Sequence, residues 1–273
     1  MYYNHNGDSM KGKLIVIEGT DCSGKETQTK LLIKRLKQHN IKCQTLSFPM
    51  YDTPTGRIIG GPFLGKSYIG EGWFPETAPN VDPKVASLYY AADRRYHMKK
   101  IEKLLNRGIN VILDRYTYSN FGHQACKLRT KKERIEMYNW LDKLEFEMLE
   151  LPKADIKIFL HMPYKVACEL KKDRVEALDQ NEASKSHLLK AERTYLEVAD
   201  LYDFKYIKCA KRNKPRKVED INDELYEFVY NYLDNKITNE LVNFDVETTN
   251  EKFQESKLEA EESYLNDELI ATN

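Results

Sequence analysis

Nowhere in this chain do about 18 apolar residues run together, the minimum for a membrane-spanning helix, and the N-terminus lacks the basic-then-apolar order of a secretory leader. These two absences argue against a membrane protein and predict a cytoplasmic one. No C-x-x-C pair occurs among the five cysteines, Cys22, Cys43, Cys126, Cys168 and Cys209, which are odd in number and widely scattered. That spacing argues against a disulfide framework or a zinc site, so the thiols are read as reduced. There is no clustered basic run and no internal repeat, and the formal net charge is zero. Nucleic-acid binding is therefore not expected.

The chain does have 273 residues, 41% of them hydrophobic, enough for one large α/β body with a real core. The zero net charge hides an asymmetry. From Thr238 to Asn273 there are ten acidic residues against two lysines, so the remainder is basic by about eight. Apolar residues are too sparse in residues 236–273 for a core, and this acidic tail is expected to stay disordered. Residues 1–10 are polar and unpatterned and read as an extension. The domain proper is expected over residues 11–235.

Within it, Lys13–Glu18 is a short β-branched run ending at a glycine, the pattern of a buried parallel strand. A helix over Glu26–Gln38 and a strand over Cys43–Phe48 complete a βαβ unit. Met50–Pro83 is rich in glycine and proline and reads as a long loop with short helical pieces, of the kind that serves a site. Beyond it the pattern predicts a helix from Pro83 to Arg107 closed by Gly108, and a strand over Ile109–Leu113. Further helices are predicted over Lys131–Leu149, Lys165–Lys171, Ser186–Tyr202 and Ile221–Leu233, with strands over Ile156–Leu160 and Tyr206–Cys209. Strands alternating with helices specify a three-layer α/β fold, a roughly five-stranded parallel sheet covered on both faces.

Between the first strand and its helix lies Gly19-Thr20-Asp21-Cys22-Ser23-Gly24-Lys25, which fits G-x-x-x-x-G-K in the context that makes this pattern specific. Its backbone N–H groups and the helix N-terminus face a polyphosphate, and Lys25 reaches the β and γ oxygens. The hydroxyl residue that usually follows the lysine and ligates Mg²⁺ is replaced by Glu26, with Thr27 next. A carboxylate there either holds the metal, directly or through water, or repels the phosphates. Asp114 ends the third strand at the carboxyl edge of the sheet, where it either positions Mg²⁺ or caps a turn; Arg115 beside it suits a second phosphate.

Four motifs together resemble the thymidylate kinases, over about residues 11–233. They are Gly19 to Gln28, Phe48-Pro49, Leu88-Tyr89-Tyr90-Ala91-Ala92-Asp93-Arg94, and Asp114-Arg115-Tyr116 through Ser119-Asn120 to His123-Gln124. The resemblance implies transfer of the γ-phosphoryl of ATP to dTMP with Mg²⁺, in a homodimer whose face is supplied by the Pro83–Arg107 helix with Trp140 nearby. It implies that Asp21 bonds the sugar 3′-hydroxyl, that Tyr90 stacks on the base and Arg94 donates to its carbonyl edge, and that Ser119 and Asn120 contact thymine. Arg115 would bind the acceptor phosphate, beside a wall of Phe48 and Pro49. Tyr51 stands near where some relatives carry a phosphate-binding arginine, and is the candidate for a weaker contact. His123 falls where related enzymes often place an aromatic residue against the sugar, with Gln124 sharing its helical face.

Phosphoryl transfer also needs positive charge over the migrating group, usually on a mobile segment. Lys171-Lys172-Asp173-Arg174 and the polar stretch to Ser186 fit such a lid, and since residues 20–23 hold no basic residue, the resemblance implies that the catalytic arginine lies here, as Arg174, with Lys172 second. Lys211, Arg212 and Pro215 fall where an adenine loop would lie. The rival readings are another nucleotide or nucleoside kinase, and a nucleotide-binding protein that has lost catalysis, the latter motivated by Glu26.

Overall fold

The structure is a computed structural model that describes residues 11–171 and 178–234. The N-terminal extension, Lys172, Arg174 and the acidic tail lie outside the described residues.

The chain opens with β1 (Leu14–Gly19), buried at every position because it lies at the centre of the sheet. It is followed by α1 (Lys25–Gln38), β2 (Cys43–Ser47), a short α2 (Pro54–Ile58), α3 (Pro83–Asn106) and β3 (Asn110–Asp114). Then come α4 (Tyr118–Ala125), α5 (Lys131–Asp142), β4 (Ile156–His161), α6 (Tyr164–Lys171), α7 (Lys185–Leu201) and β5 (Lys205–Lys208). A small hairpin, β6 (Ala210–Lys211) with β7 (Lys214–Pro215), precedes α8 (Val218–Leu233).

The five main strands are all parallel, in the order β2-β3-β1-β4-β5. Parallel strands need crossovers, and these helices cover both faces. On one face Leu14, Val16 and Phe159 pack with Met98 and Ile101 of α3, Phe121 of α4, Leu141 of α5 and Tyr195 of α7. On the other, Ile15, Ile17 and Ile158 pack with Leu32 and Leu36 of α1 and Leu225 and Val229 of α8. Burying each such side chain contributes about 1.5–3 kcal/mol, so alternation along β1 fixes which helices go where. The strand order reverses at β1, whose carboxyl end is thus the crevice of a doubly wound sheet.

Local chemistry sets the helix ends. Asp82 caps α3 by accepting from the N–H groups of Lys84 and Val85 at 2.9 and 3.0 Å, with Pro83 in the first turn. Thr130 and Glu133 form a capping box on α5. Most predicted elements recur within one to three residues of their expected ends. The exception is the single helix expected over Lys131–Leu149. The α-helix ends at Asp142, and Lys143–Met148 continues as a wider π turn in which the N–H of Leu149 reaches the carbonyl of Leu144 at 3.0 Å. Apolar periodicity does not report such a turn, and the reason for it lies in the site, where Glu145 is fully buried. The Gly- and Pro-rich region becomes α2, a π turn over Ile59–Phe63 and a 3-10 turn over Ala78–Asn80. The predicted adenine-loop residues form the β6–β7 hairpin, with Arg212 and Asn213 both left-handed at φ 51° and 55°. All described cysteines are free thiols. Among the described residues no helix is long and apolar enough to cross a membrane.

Candidate active site

The loop from β1 into α1 closes on itself. A Cβ at Gly19 would stand 2.5 Å from the Leu160 carbonyl, and Gly24 has φ 78°, so both positions require glycine. Thr20 fastens the loop to the end of β4: its hydroxyl donates to the Met162 carbonyl and accepts the Met162 N–H, both at 2.8 Å. Lys25 is buried, its ammonium donating to the carbonyls of Gly19 and Thr20 at 2.9 Å and lying 3.4 Å from Ser23 Oγ. Burial, with Arg115 nearby, lowers its pKa to about 8; below that pH it is a cation held inside the loop. Cys22 carries φ 57°. Glu26 and Thr27 are exposed on α1, and the Glu26 carboxylate pairs with Lys30 one turn on, with its side chain 76% accessible. Glu26 therefore faces another cation rather than the phosphate-binding backbone.

Beside the loop opens a cavity of about 190 Å³. Its lining includes every residue expected on the acceptor side: Asp21, Phe48, Tyr51, Tyr90, Arg94 and Arg115, and from the start of α4 Ser119, Asn120, His123 and Gln124. They arrive from four separate stretches of sequence because the carboxyl ends of β1, β2 and β3, together with α3, converge there. Arg115 is central. It sits at φ 66°, its N–H bonded to the Ile17 carbonyl at 3.0 Å, and strain of this kind at a non-glycine residue is characteristic of functional sites. Its guanidinium donates to Asp21 Oδ1 at 2.9 Å and to the Tyr195 hydroxyl at 3.2 Å, and approaches His123 Nε2 at 3.4 Å. Asp114, partly exposed, precedes it at the end of β3 and helps hold Lys25 charged.

Several expected contacts are already committed to protein partners. Arg94 is almost fully buried and clasps Glu145 through Nε at 2.9 Å and through Nη2; Nη1 reaches the Tyr116 carbonyl at 3.4 Å. Asn120 gives its amide N–H₂ to Glu145 at 2.9 Å and to the Ser87 carbonyl at 3.2 Å. Ser119 donates to Glu18 Oε2 at 2.7 Å, and Glu18, wholly buried, also takes the Tyr116 N–H at 2.8 Å. Burial raises the Glu18 pKa. Asp93, buried under the Phe48-Pro49 turn, accepts from the Met50 N–H at 3.0 Å and the Thr55 hydroxyl at 2.6 Å, fixing the wall. Tyr90 stands edge-on to Phe63 and Tyr51 lies under the Lys66 ammonium. By contrast, the side-chain oxygens of Gln124 and Asn181 are buried without a protein partner, and both residues line the cavity. Orphaned acceptors at a cavity wall suit a ligand that brings donors.

The described part of the expected lid supplies one side of this cavity. Asp179 pairs with Lys66 at 2.9 Å, the Gln180 N–H bonds the Leu64 carbonyl at 3.2 Å, and its side chain accepts the Ala78 N–H at 2.7 Å. Glu18, Lys66, Glu145, Asp179, Asn181 and Tyr195 also belong to the site and lie outside the residues expected from the motifs. Only Glu18, a carboxylate ending a buried strand, carried a local signal.

Comparison with known proteins follows the same outline. A family model described as thymidylate kinase matches residues 17–221. The chain is similar to the thymidylate kinase of Plasmodium falciparum, 30% identical, over 80% of this chain and 90% of that protein. It is also 30% identical to a probable thymidylate kinase of Methanocaldococcus jannaschii, over 80% and 95% of the two chains. Among solved structures, thymidylate kinase from Candida albicans superposes with a TM-score of 0.62 at 25% identity, covering 84% of this chain and 96% of that one.

Proposed function

Because the chain belongs to the thymidylate kinase family, and so transfers the γ-phosphoryl of ATP to dTMP, we propose that the loop of Gly19–Lys25 takes the donor and the adjoining cavity takes the acceptor. The observation that carries this reading is the convergence on one cavity, at the mouth of the phosphate loop, of all the residues expected to contact a nucleoside monophosphate.

In this reading Thr20, Cys22, Ser23 and Gly24 wrap the ATP phosphates with backbone N–H groups. Lys25 swings from its loop carbonyls onto the β and γ oxygens. Asp21 faces the acceptor sugar and keeps Arg115 aligned. Arg115 binds the acceptor phosphate, and since that phosphate is already anionic near neutral pH, no general base is needed. Tyr90 supplies a ring for the base, while Arg94, oriented by Glu145, offers its remaining N–H groups to a carbonyl. The orphaned oxygen of Gln124 is an acceptor for the base N–H, as is the side-chain oxygen of Asn120, of which only the N–H₂ group is committed. Tyr51, held protonated by burial, donates at the phosphate end. Arg174 closes over the transferring group.

The residues present also fit a magnesium ion, since Asp114 provides a hard, partly exposed carboxylate beside Lys25. Asp114 would hold Mg²⁺ directly or through water, with Glu26 available only if it leaves Lys30. The ion's contribution when bound is to neutralise charge on the donor phosphates. We further propose a homodimer through α3, on which Val85, Leu88 and Tyr96 are exposed.

A radiometric panel of ATP–Mg²⁺ with each monophosphate and nucleoside tests the substrate reading. dTMP is expected among the preferred acceptors, and its absence from them overturns the assignment. Lys25→Ala is expected to reduce turnover by on the order of 10²–10³-fold or more while leaving the protein folded. Undiminished turnover in that variant would remove the phosphate loop from the mechanism.

A further inference from the structure

Behind Arg115 runs a chain of side chains that leads out of the acceptor cavity into the core between α4 and α7. The rings of His123 and His187 lie nearly parallel, 9° apart with centroids 5.5 Å apart, and His123 Nδ1 is 3.2 Å from His187 Nε2. His187 Nδ1 in turn faces Cys126 Sγ at 3.7 Å, and Cys126 Sγ lies 3.1 Å from the His123 carbonyl. Cys126 and His187 are both buried.

The donors in this chain can be assigned from chemistry alone. A guanidinium only donates, so His123 Nε2, 3.4 Å from Arg115 Nη1, must accept. A neutral imidazole with a bare Nε2 carries its proton on Nδ1, and His123 therefore donates to His187 Nε2. The same step puts the His187 proton on Nδ1, directed at Cys126 Sγ. The thiol's own proton has the His123 carbonyl as acceptor. Every donor then meets an acceptor, and the pattern works in one direction only. Protonating either ring would set two donors against each other.

We propose that His187 and Cys126 are positioning residues for the acceptor phosphate: they fix the His123 ring so that its Nε2 lone pair steers the Arg115 guanidinium into the acceptor cavity. The inference rests on the reading of Arg115 as the acceptor-phosphate ligand. The electrostatic surroundings agree with two neutral rings. Burial and then Arg115 hold the His123 pKa well below its ordinary value, with Asp21, His187 and Lys25 also nearby. Burial and then Lys127 lower His187 to about 4, with Asp21, Asp179 and Lys190 around it. Burial pushes the Cys126 thiol up to about 12, so it stays protonated and can donate to the His123 carbonyl.

The test combines a spectroscopic readout with kinetics on the full chain. In ¹⁵N-histidine-labelled protein at neutral pH, long-range ¹⁵N–¹H spectra are expected to show two rings protonated at Nδ1 and bare at Nε2. Assignment of His123 and His187 as Nε2–H forms overturns the proposal. His187→Phe keeps a ring but removes both bonds, and is expected to raise the KM for dTMP about tenfold with the KM for ATP unchanged. His187→Gln places an amide oxygen near the lost Nε2 and is expected to bring the dTMP KM back to within about threefold of wild type. Cys126→Ala, which removes the last acceptor and the thiol donor to the His123 carbonyl, is expected to raise it about threefold, and it decides the matter if His187→Phe does not fold. Wild-type turnover of dTMP with an unaltered KM in these variants overturns the positioning role alone. Wild-type protein that leaves dTMP unphosphorylated overturns the substrate reading, and the positioning role with it.

Discussion

Glu145 reaches the site from beneath, where it binds both Arg94 and Asn120, the two residues expected to read the base. Neither its position in sequence nor its neighbours announce this, because a carboxylate on an amphipathic helix ordinarily faces water. Its fully buried position is tolerable only because Arg94 is clasped through two nitrogens. Removing one member of such a pair leaves an uncompensated buried charge. Glu145→Gln is therefore expected to lower stability by about 3 kcal/mol, read as a fall in the urea midpoint at unchanged slope. The dTMP KM should rise as well, since Arg94 loses its orientation. A stability change well below about 1 kcal/mol would show the pair to be dispensable. At this scale the motif residues themselves were legible, and their partners were not. Tyr90, Arg94 and Asn120 stand in recognisable local patterns. Glu145 meets Arg94 and Asn120, and Tyr195 meets Arg115, only through contacts across 25 to 80 residues of sequence.

The elements that matter most to the site are the short ones. Helix α4 has eight residues, yet it carries Ser119, Asn120, His123 and Gln124 into the cavity while its other side presses on α7. Gly122 makes that close approach possible: a Cβ there would stand 2.5 Å from the Tyr195 ring, itself 2% exposed and unable to move aside freely. Gly122→Ala is expected to destabilise by about 1–3 kcal/mol through overpacking. Because the Tyr195 hydroxyl also accepts from Arg115 and touches Ser119, turnover should fall with it. Chemical denaturation and steady-state kinetics on the same preparation check both effects; unchanged stability would mean that α4 and α7 can separate without cost. The long elements α1, α3 and α7 were predictable to within a residue at each end, since capping and periodicity repeat over several turns. The π turn over Lys143–Met148 was not, because one widened turn changes the register of a few side chains and leaves the apolar pattern intact.

At the scale of the whole molecule, α3 leaves an apolar stripe exposed among the described residues. Val85, Leu88, Ala92 and Tyr96 recur at helical spacing and are exposed, Leu88 at 50% and Tyr96 at 59%. Such a face on a helix that also carries Tyr90 and Arg94 supports the proposed homodimer, in which assembly would stiffen the acceptor wall. Light scattering is expected to give about twice the 32.1 kDa chain mass. Leu88→Glu with Tyr96→Glu is expected to return the monomer mass, because two charges would be buried in an apolar contact. A monomer for the unaltered protein would remove the dimer from the proposal.

The sequence by itself determined the α/β layering, the phosphate loop and the family, because each depends on short-range patterns: apolar period, glycine at fixed offsets, and motifs in order. It also placed Phe48 and Arg115 at strand ends, which a parallel sheet brings together at its carboxyl edge, and Tyr90 and Arg94 on one face of a helix. Only the tertiary structure decided how those residues are held. It turned Glu26 to Lys30, committed Arg94 and Asn120 to Glu145, and put two histidines and a cysteine behind Arg115. The physical reason is that hydrogen-bond satisfaction in a buried site is settled among groups distant in the chain, and no local pattern encodes which of them will meet.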